Sequence, residues 1–146
     1  MKKVLLIIII IIITGCTNNS KFYLTDKYYN NGEMISVSPS DINSHESFIL
    51  YTYNNFCALP IHCENIFKEV LEKNKIDALS IPFEDFKETS FYKKVKYAPS
   101  VLLIKDGKII DYLKADSDED YDKYQKVDVF QEWLEKYIYL NKKQSN

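Results

Sequence analysis

Two cysteines six residues apart, Cys57 and Cys63, with His62 beside the second, offer the most direct chemistry in the chain. The third cysteine, Cys16, stands far from them near the N-terminus. The nucleophile in sulfur chemistry is the thiolate, so a working cysteine needs access and a favoured ionised form. As imidazolium, His62 would favour the thiolate of either neighbour, and an unperturbed pKa of about 6.5 leaves it partly charged near neutrality. An exposed helix histidine without a role is the other reading of His62. Cys63 falls on one stripe with Ile66, Phe67, Val70 and Leu71, the spacing of a buried helix face, and so also reads as a small core residue. His45 lies in a polar stretch and receives no assignment. Two Cys and one His lack a fourth metal ligand. The acidic run Asp116, Asp118, Glu119, Asp120 and Asp122 lacks the glycine and helical flanks of an EF-hand. No metal site and no other cofactor is expected.

The N-terminus bears on the compartment in which these sulfurs would work. Met1, Lys2 and Lys3 precede ten apolar residues, 4–13, and then Thr14, Gly15 and Cys16. A positive end, an apolar run and a small residue are the layout of a secretory signal. Ten helical residues reach only about 15 Å, half of a hydrocarbon core of about 30 Å, so this run is too short for a stable span. Ile13-Thr14-Gly15-Cys16 resembles a lipobox, with Ile13 where Leu is usual. That resemblance implies removal of residues 1–15 and diacylation of Cys16, which anchors the chain to the outer, extracytoplasmic face of the cell membrane. Two acyl chains suffice for stable anchoring, whereas one does not. An ordinary signal peptide with an accidental cysteine is the alternative.

Without residues 1–15 the chain keeps 131 residues, and its formal net charge moves from −2 to −4. That length suits one domain with its own core. All nineteen basic residues are Lys. The absence of the bidentate guanidinium argues against phosphate recognition, and no basic patch suggests nucleic acid. In an exported protein the remaining pair, Cys57 and Cys63, is a structural disulfide or a redox couple.

The elements that must position these residues are legible as alternating patterns. Residues 16–32 form a tether and an aromatic-rich extension containing Phe22, Tyr23, Tyr28 and Tyr29, closed by an Asn-Asn-Gly turn. These aromatics either pack over the core or form a docking surface. Strands are expected over 33–38, 47–53, 76–82, 100–105 and 108–113, and a small helix at Pro39 with Ser38 as its cap. Helical spacing runs from Pro60 to about Asn74, mostly over 83–94, and over 127–140. Asp106-Gly107 reads as a hairpin turn, residues 116–122 as a solvated loop, and 141–146 as a polar tail. The expected class is α/β: β-α-β-α-β-α-β-β-α, a mixed sheet with helices on both faces behind an N-terminal extension.

That order over residues 33–140 resembles the thioredoxin fold. Residues 97–108, Tyr-Ala-Pro-Ser-Val-Leu-Leu-Ile-Lys-Asp-Gly-Lys, are similar to the family's proline loop, apolar strand and tight turn. The likeness implies a cis peptide after Ala98, with Ala98 and Pro99 offering backbone to an extended substrate. Residues 48–57, a strand leading to Phe56 and Cys57, resemble the approach to the family's nucleophile, with Phe56 where many members carry Trp. A cysteine there would feel the positive end of the following helix, which favours thiolate. Three departures stand out: Pro60 occupies the position of the usual second cysteine, Tyr51 that of a buried Asp, and no Gly follows the last strand.

A disulfide needs Cα atoms within about 7 Å. On an unbroken helix, Cys57 and Cys63 would lie about 9 Å apart along the axis and about 240° around it, too far and too divergent to pair. A helix beginning at Pro60, a position that suits Pro, would leave Cys57 in a loop able to fold back over Cys63. The expected function is thiol–disulfide exchange with extracytoplasmic proteins, Cys57 attacking and Cys63 resolving, with His62 holding a proton. The alternatives are a non-catalytic thioredoxin-like accessory lipoprotein, such as those associated with peptide export, with a structural Cys57–Cys63 bridge, and a peroxide reductase. Substrate, redox partner, direction and oligomeric state leave no mark in the sequence.

Overall fold

The computed structural model describes residues 20–54 and 60–144. Its strands are β1 (Met34–Ser36), β2 (Phe48–Tyr53), β3 (Ala78–Pro82), β4 (Ser100–Lys105) and β5 (Lys108–Tyr112). Its α-helices are α1 (Cys63–Asn74), α2 (Phe83–Phe86), α3 (Tyr121–Gln125) and α4 (Val127–Tyr137). The strands form one mixed sheet in the order β1-β3-β2-β4-β5. β1 and β2 each pair in parallel with β3, whereas β4 runs antiparallel to both β2 and β5. The protein is therefore α/β, as its alternating patterns predict.

β2 is central because it is apolar on both faces: from Phe48 to Tyr51 no residue is more than 3 % exposed. Successive side chains point to opposite faces of a strand. Tyr51 meets Phe67 of α1 edge to face, while Phe48 packs on Tyr28 and Phe91 on the other side. The helices α1, α3 and α4 contact one another on the Tyr51 face. On the Phe48 face lie α2 and a 3-10 turn at Ser90–Lys93.

α1 forms as its stripe requires, with Cys63, Ile66, Phe67, Val70 and Leu71 all buried. It begins later than expected: Cys63 is its first residue, His62 its N-cap, and Pro60 lies in the preceding bend. At its other end Lys75 adopts φ 56°, and the Ile76 N–H reaches back to the Leu71 carbonyl (3.1 Å), a closing pattern that ties off the last carbonyls. One further expectation is refined and one corrected. The 83–94 connection is mostly helical as expected, but in two pieces, α2 ending at Phe86 and a 3-10 turn at Ser90–Lys93. The acidic stretch does not stay a loop to residue 122, since α3 starts at Tyr121 in order to bury Tyr124 completely. Asp106 and Gly107 take φ 48° and 73° and close the β4–β5 hairpin as anticipated.

The N-terminal stretch packs across the sheet's end. Phe22 bridges Ile138 in parallel, its N–H donating to the Tyr137 carbonyl (2.9 Å) and its carbonyl accepting from Tyr139 (3.0 Å). Phe22, Leu24 and Tyr28 are buried and Tyr23 is exposed, so these aromatics divide between core and surface. Among the described residues no helix is long and apolar enough to cross a membrane.

Candidate functional site

Four segments converge where β2 ends and α1 begins. β2 delivers Tyr51, Tyr53 and then Asn54; α1 opens with His62, Cys63 and Glu64; the loop before β4 supplies Ala98 and Pro99; α3 supplies Tyr124 and Gln125. The contacts among them are specific. The Asn54 amide donates to the Ala98 carbonyl at 3.2 Å, and the Tyr124 hydroxyl donates to the Pro99 carbonyl at 3.0 Å. Gln125 clamps the approach to α1 from both sides, accepting from the Ile61 N–H (3.1 Å) and donating to the Ile61 carbonyl (3.0 Å). The Ala98–Pro99 peptide is cis.

Cys63 is fully buried, with its sulfur 3.8 Å from the Tyr51 hydroxyl. As the first residue of α1 it sits where the helix's unpaired N–H groups concentrate partial positive charge, which favours thiolate, while burial favours thiol. Burial, reinforced by Cys63 and Asp120, holds the Tyr124 phenol above its usual range. A cleft of about 780 Å³ runs along α1 from Glu64 to Lys75, with Gly32, Met34, Tyr51 and Tyr53 also in its lining. Glu64 and Lys68 pair across one turn at its edge.

No family model and no curated protein matches this chain.

Cys63, His62, Ala98 and Pro99, separated by up to 37 positions in sequence, belong to segments that these contacts tie together. His62 is exposed beside them. Cys16, Phe56 and Cys57 lie outside the described residues, as does the expected Cys57–Cys63 pairing. Residues 55–59 must nonetheless join Asn54 to Pro60, so Cys57 belongs to the short connection between β2 and α1.

Tyr124, Gln125 and Asn54 were not among the candidates drawn from sequence. α3 is only five residues long, shorter than the window over which helical periodicity can be read, and it follows an acidic run. The one available signal was an aromatic residue, Tyr124, in an otherwise charged stretch. Among the described residues no cluster of three or more His, Cys, Asp or Glu could hold a metal ion.

Proposed function

We propose that this chain is a lipid-anchored extracytoplasmic protein of thioredoxin-like fold that exchanges thiols and disulfides with other exported proteins through Cys57 and Cys63. The observation that carries the reading is the placement of Cys63 at the first position of α1, in a mixed β1-β3-β2-β4-β5 sheet, with that helix's approach tied to the Ala98–Pro99 loop. The mixed α/β sheet and the cis Ala98–Pro99 peptide are compatible with the resemblance. Anchoring through Cys16 rests on the signal layout and lipobox of the sequence.

In the reductive direction the Cys57 thiolate attacks one sulfur of a substrate disulfide. A mixed disulfide forms, and the other substrate sulfur leaves as thiolate and takes a proton from solvent. Cys63 then attacks the Cys57 sulfur, closing an internal disulfide and releasing the second substrate thiol. Two electrons have passed to the substrate, and a dithiol reductant of the same compartment restores the pair by the reverse steps. Run backwards, the same sequence oxidises substrate thiols. The complete burial of Cys63 suits a resolver, which meets only a sulfur already delivered to it. The Tyr51 hydroxyl, 3.8 Å from the Cys63 sulfur, would steady its thiolate, and His62 would hold a proton beside Cys63. Ala98 and Pro99 would offer backbone to an extended substrate, with Phe56 assigned to substrate binding from the sequence resemblance alone.

Mixed-disulfide trapping tests this reading. In full-length Cys63→Ser protein, solubilised in detergent and given glutathione disulfide, a stable adduct on Cys57 is expected, and none in Cys57→Ser. Absence of an adduct in Cys63→Ser would overturn the exchange mechanism. The burial of Cys63 also favours a second reading, a non-catalytic accessory lipoprotein with a structural Cys57–Cys63 bridge. In that case wild-type protein does not turn over substrate disulfides, and loss of the bridge costs about 2–4 kcal/mol of stability.

A further inference from the structure

At the end of the sheet remote from Cys63, Tyr23 and Tyr139 stack in the open. Their ring centroids are 4.3 Å apart at 21°, and they are 39 % and 42 % exposed. The pair is held by backbone bonds at Phe22 and by Tyr29, whose hydroxyl donates to the Tyr139 carbonyl (2.7 Å) and accepts from the Leu24 N–H (3.1 Å). A rigid, exposed aromatic pair is a costly surface feature unless something covers it.

Lysine accompanies it. The Lys21 ammonium lies 5.9 Å from the Tyr139 ring, Lys105 lies 5.9 Å from the ring of the adjoining Phe22, and the exposed Lys142 and Lys143 follow Tyr139 in the chain. The facing acids are Asp26, paired to Lys142 at 3.2 Å, and Glu135. The local balance is thus basic in a chain whose formal net charge is −2. Tyrosine with lysine is the composition of a membrane–water interface, where the ring sits among headgroups and the ammonium meets anionic lipid.

Chain length fixes the occupant. Four residue steps separate Cys16 from Ser20, where the described structure begins, and so span at most about 14 Å. Lys21 and Tyr23 follow at once. The α1 N-terminus lies further off by the length of a 12-residue helix, about 18 Å, because Asn74 at the far end of α1 shares a small cavity with Lys21 and Tyr139.

Resting on the proposed lipidation of Cys16, we infer that the Tyr23–Tyr139 face docks on the headgroup layer of an anionic bilayer and turns the Cys63 end outward. The test uses the full, lipidated chain in vesicles of phosphatidylcholine and phosphatidylglycerol, with and without bromine on the upper acyl chain. Trp133 supplies a constant background, and Tyr23→Trp, Tyr139→Trp and the equally exposed Tyr121→Trp of α3 are compared with it. Bromolipid quenching beyond the wild-type loss is expected for Tyr23→Trp and Tyr139→Trp, and none for Tyr121→Trp. Equal quenching at all three sites, or none at any, in protein whose mass includes the diacylglyceryl group and which floats with the vesicles, overturns the docking inference alone. A chain without the added lipid mass overturns the anchoring and the docking together.

Discussion

Tyr51 occupies a strand position where the resemblance leads one to look for a buried carboxylate, and its hydroxyl reaches the Cys63 sulfur instead. A neutral donor there stabilises a thiolate without adding negative charge beside it. Tyr51→Phe keeps the ring against Phe67 and removes the hydroxyl. The predicted effect is a slowing of Cys63 attack on the mixed disulfide of about tenfold, the equivalent of one hydrogen bond of ~1.4 kcal/mol, read by rapid acid quenching. At the other end of β2, Glu46 accepts from Tyr28 (2.7 Å), Lys27 (2.9 Å) and Asn43 (3.2 Å). Desolvation pushes its pKa up, but these bonds outweigh that and hold it below the ordinary 4.5. A depressed folded-state pKa contributes stability that is present above the unfolded value and is lost as pH falls through the folded one. Glu46→Gln is therefore expected to flatten the decline of melting temperature below about pH 4.5; an unchanged acid limb would refute the assignment. At this scale the cis Ala98–Pro99 peptide was legible because proline is the residue type that admits it. Tyr51 was legible as an oddity only, since its sulfur contact joins residues 12 positions apart.

Long, strongly patterned segments behaved as their residues dictate. The apolar runs of β2 and β4, the stripe of α1 and the Asp106-Gly107 turn all fold where their spacing puts them. Short segments did not, because fewer than about two turns of helix carry no readable period. α2 and α3 hold four and five residues and are set by tertiary demand, the burial of Phe86 and Tyr124. The start of α1 was misplaced for a related reason: Pro60 is compatible with a first helical position, but the chain still has to turn through Ile61, which Gln125 holds. The hairpin offers the sharpest test at this scale. A Cβ on Gly107, at φ 73°, would stand 2.0 Å from the Ser44 carbonyl oxygen. Gly107→Ala is predicted to lower stability by roughly 3 kcal/mol, measured by urea titration. A loss under about 0.5 kcal/mol, typical of a surface change, would mean that the turn yields freely.

Across the whole molecule, the sheet has two ends of different composition. One gathers the first described residues, Tyr23, Tyr139 and Lys21; the other gathers Cys63 and the Ala98–Pro99 loop. α1 spans the interval, so an anchor at Cys16 and a reactive pair at Cys57 and Cys63 would not compete for the same surface. That division was not visible in the sequence, where Tyr23 and Tyr139 lie 116 positions apart. The central claim, that Cys57 and Cys63 cycle as a couple, is tested most directly by their reduction potential. The full chain, solubilised in detergent and poised in a series of dithiol buffers, is alkylated with a mass tag. A reversible two-thiol transition between about −120 and −270 mV, the span of known oxidoreductases, is predicted. A bridge that yields only below about −300 mV, or two thiols that never pair, would contradict it.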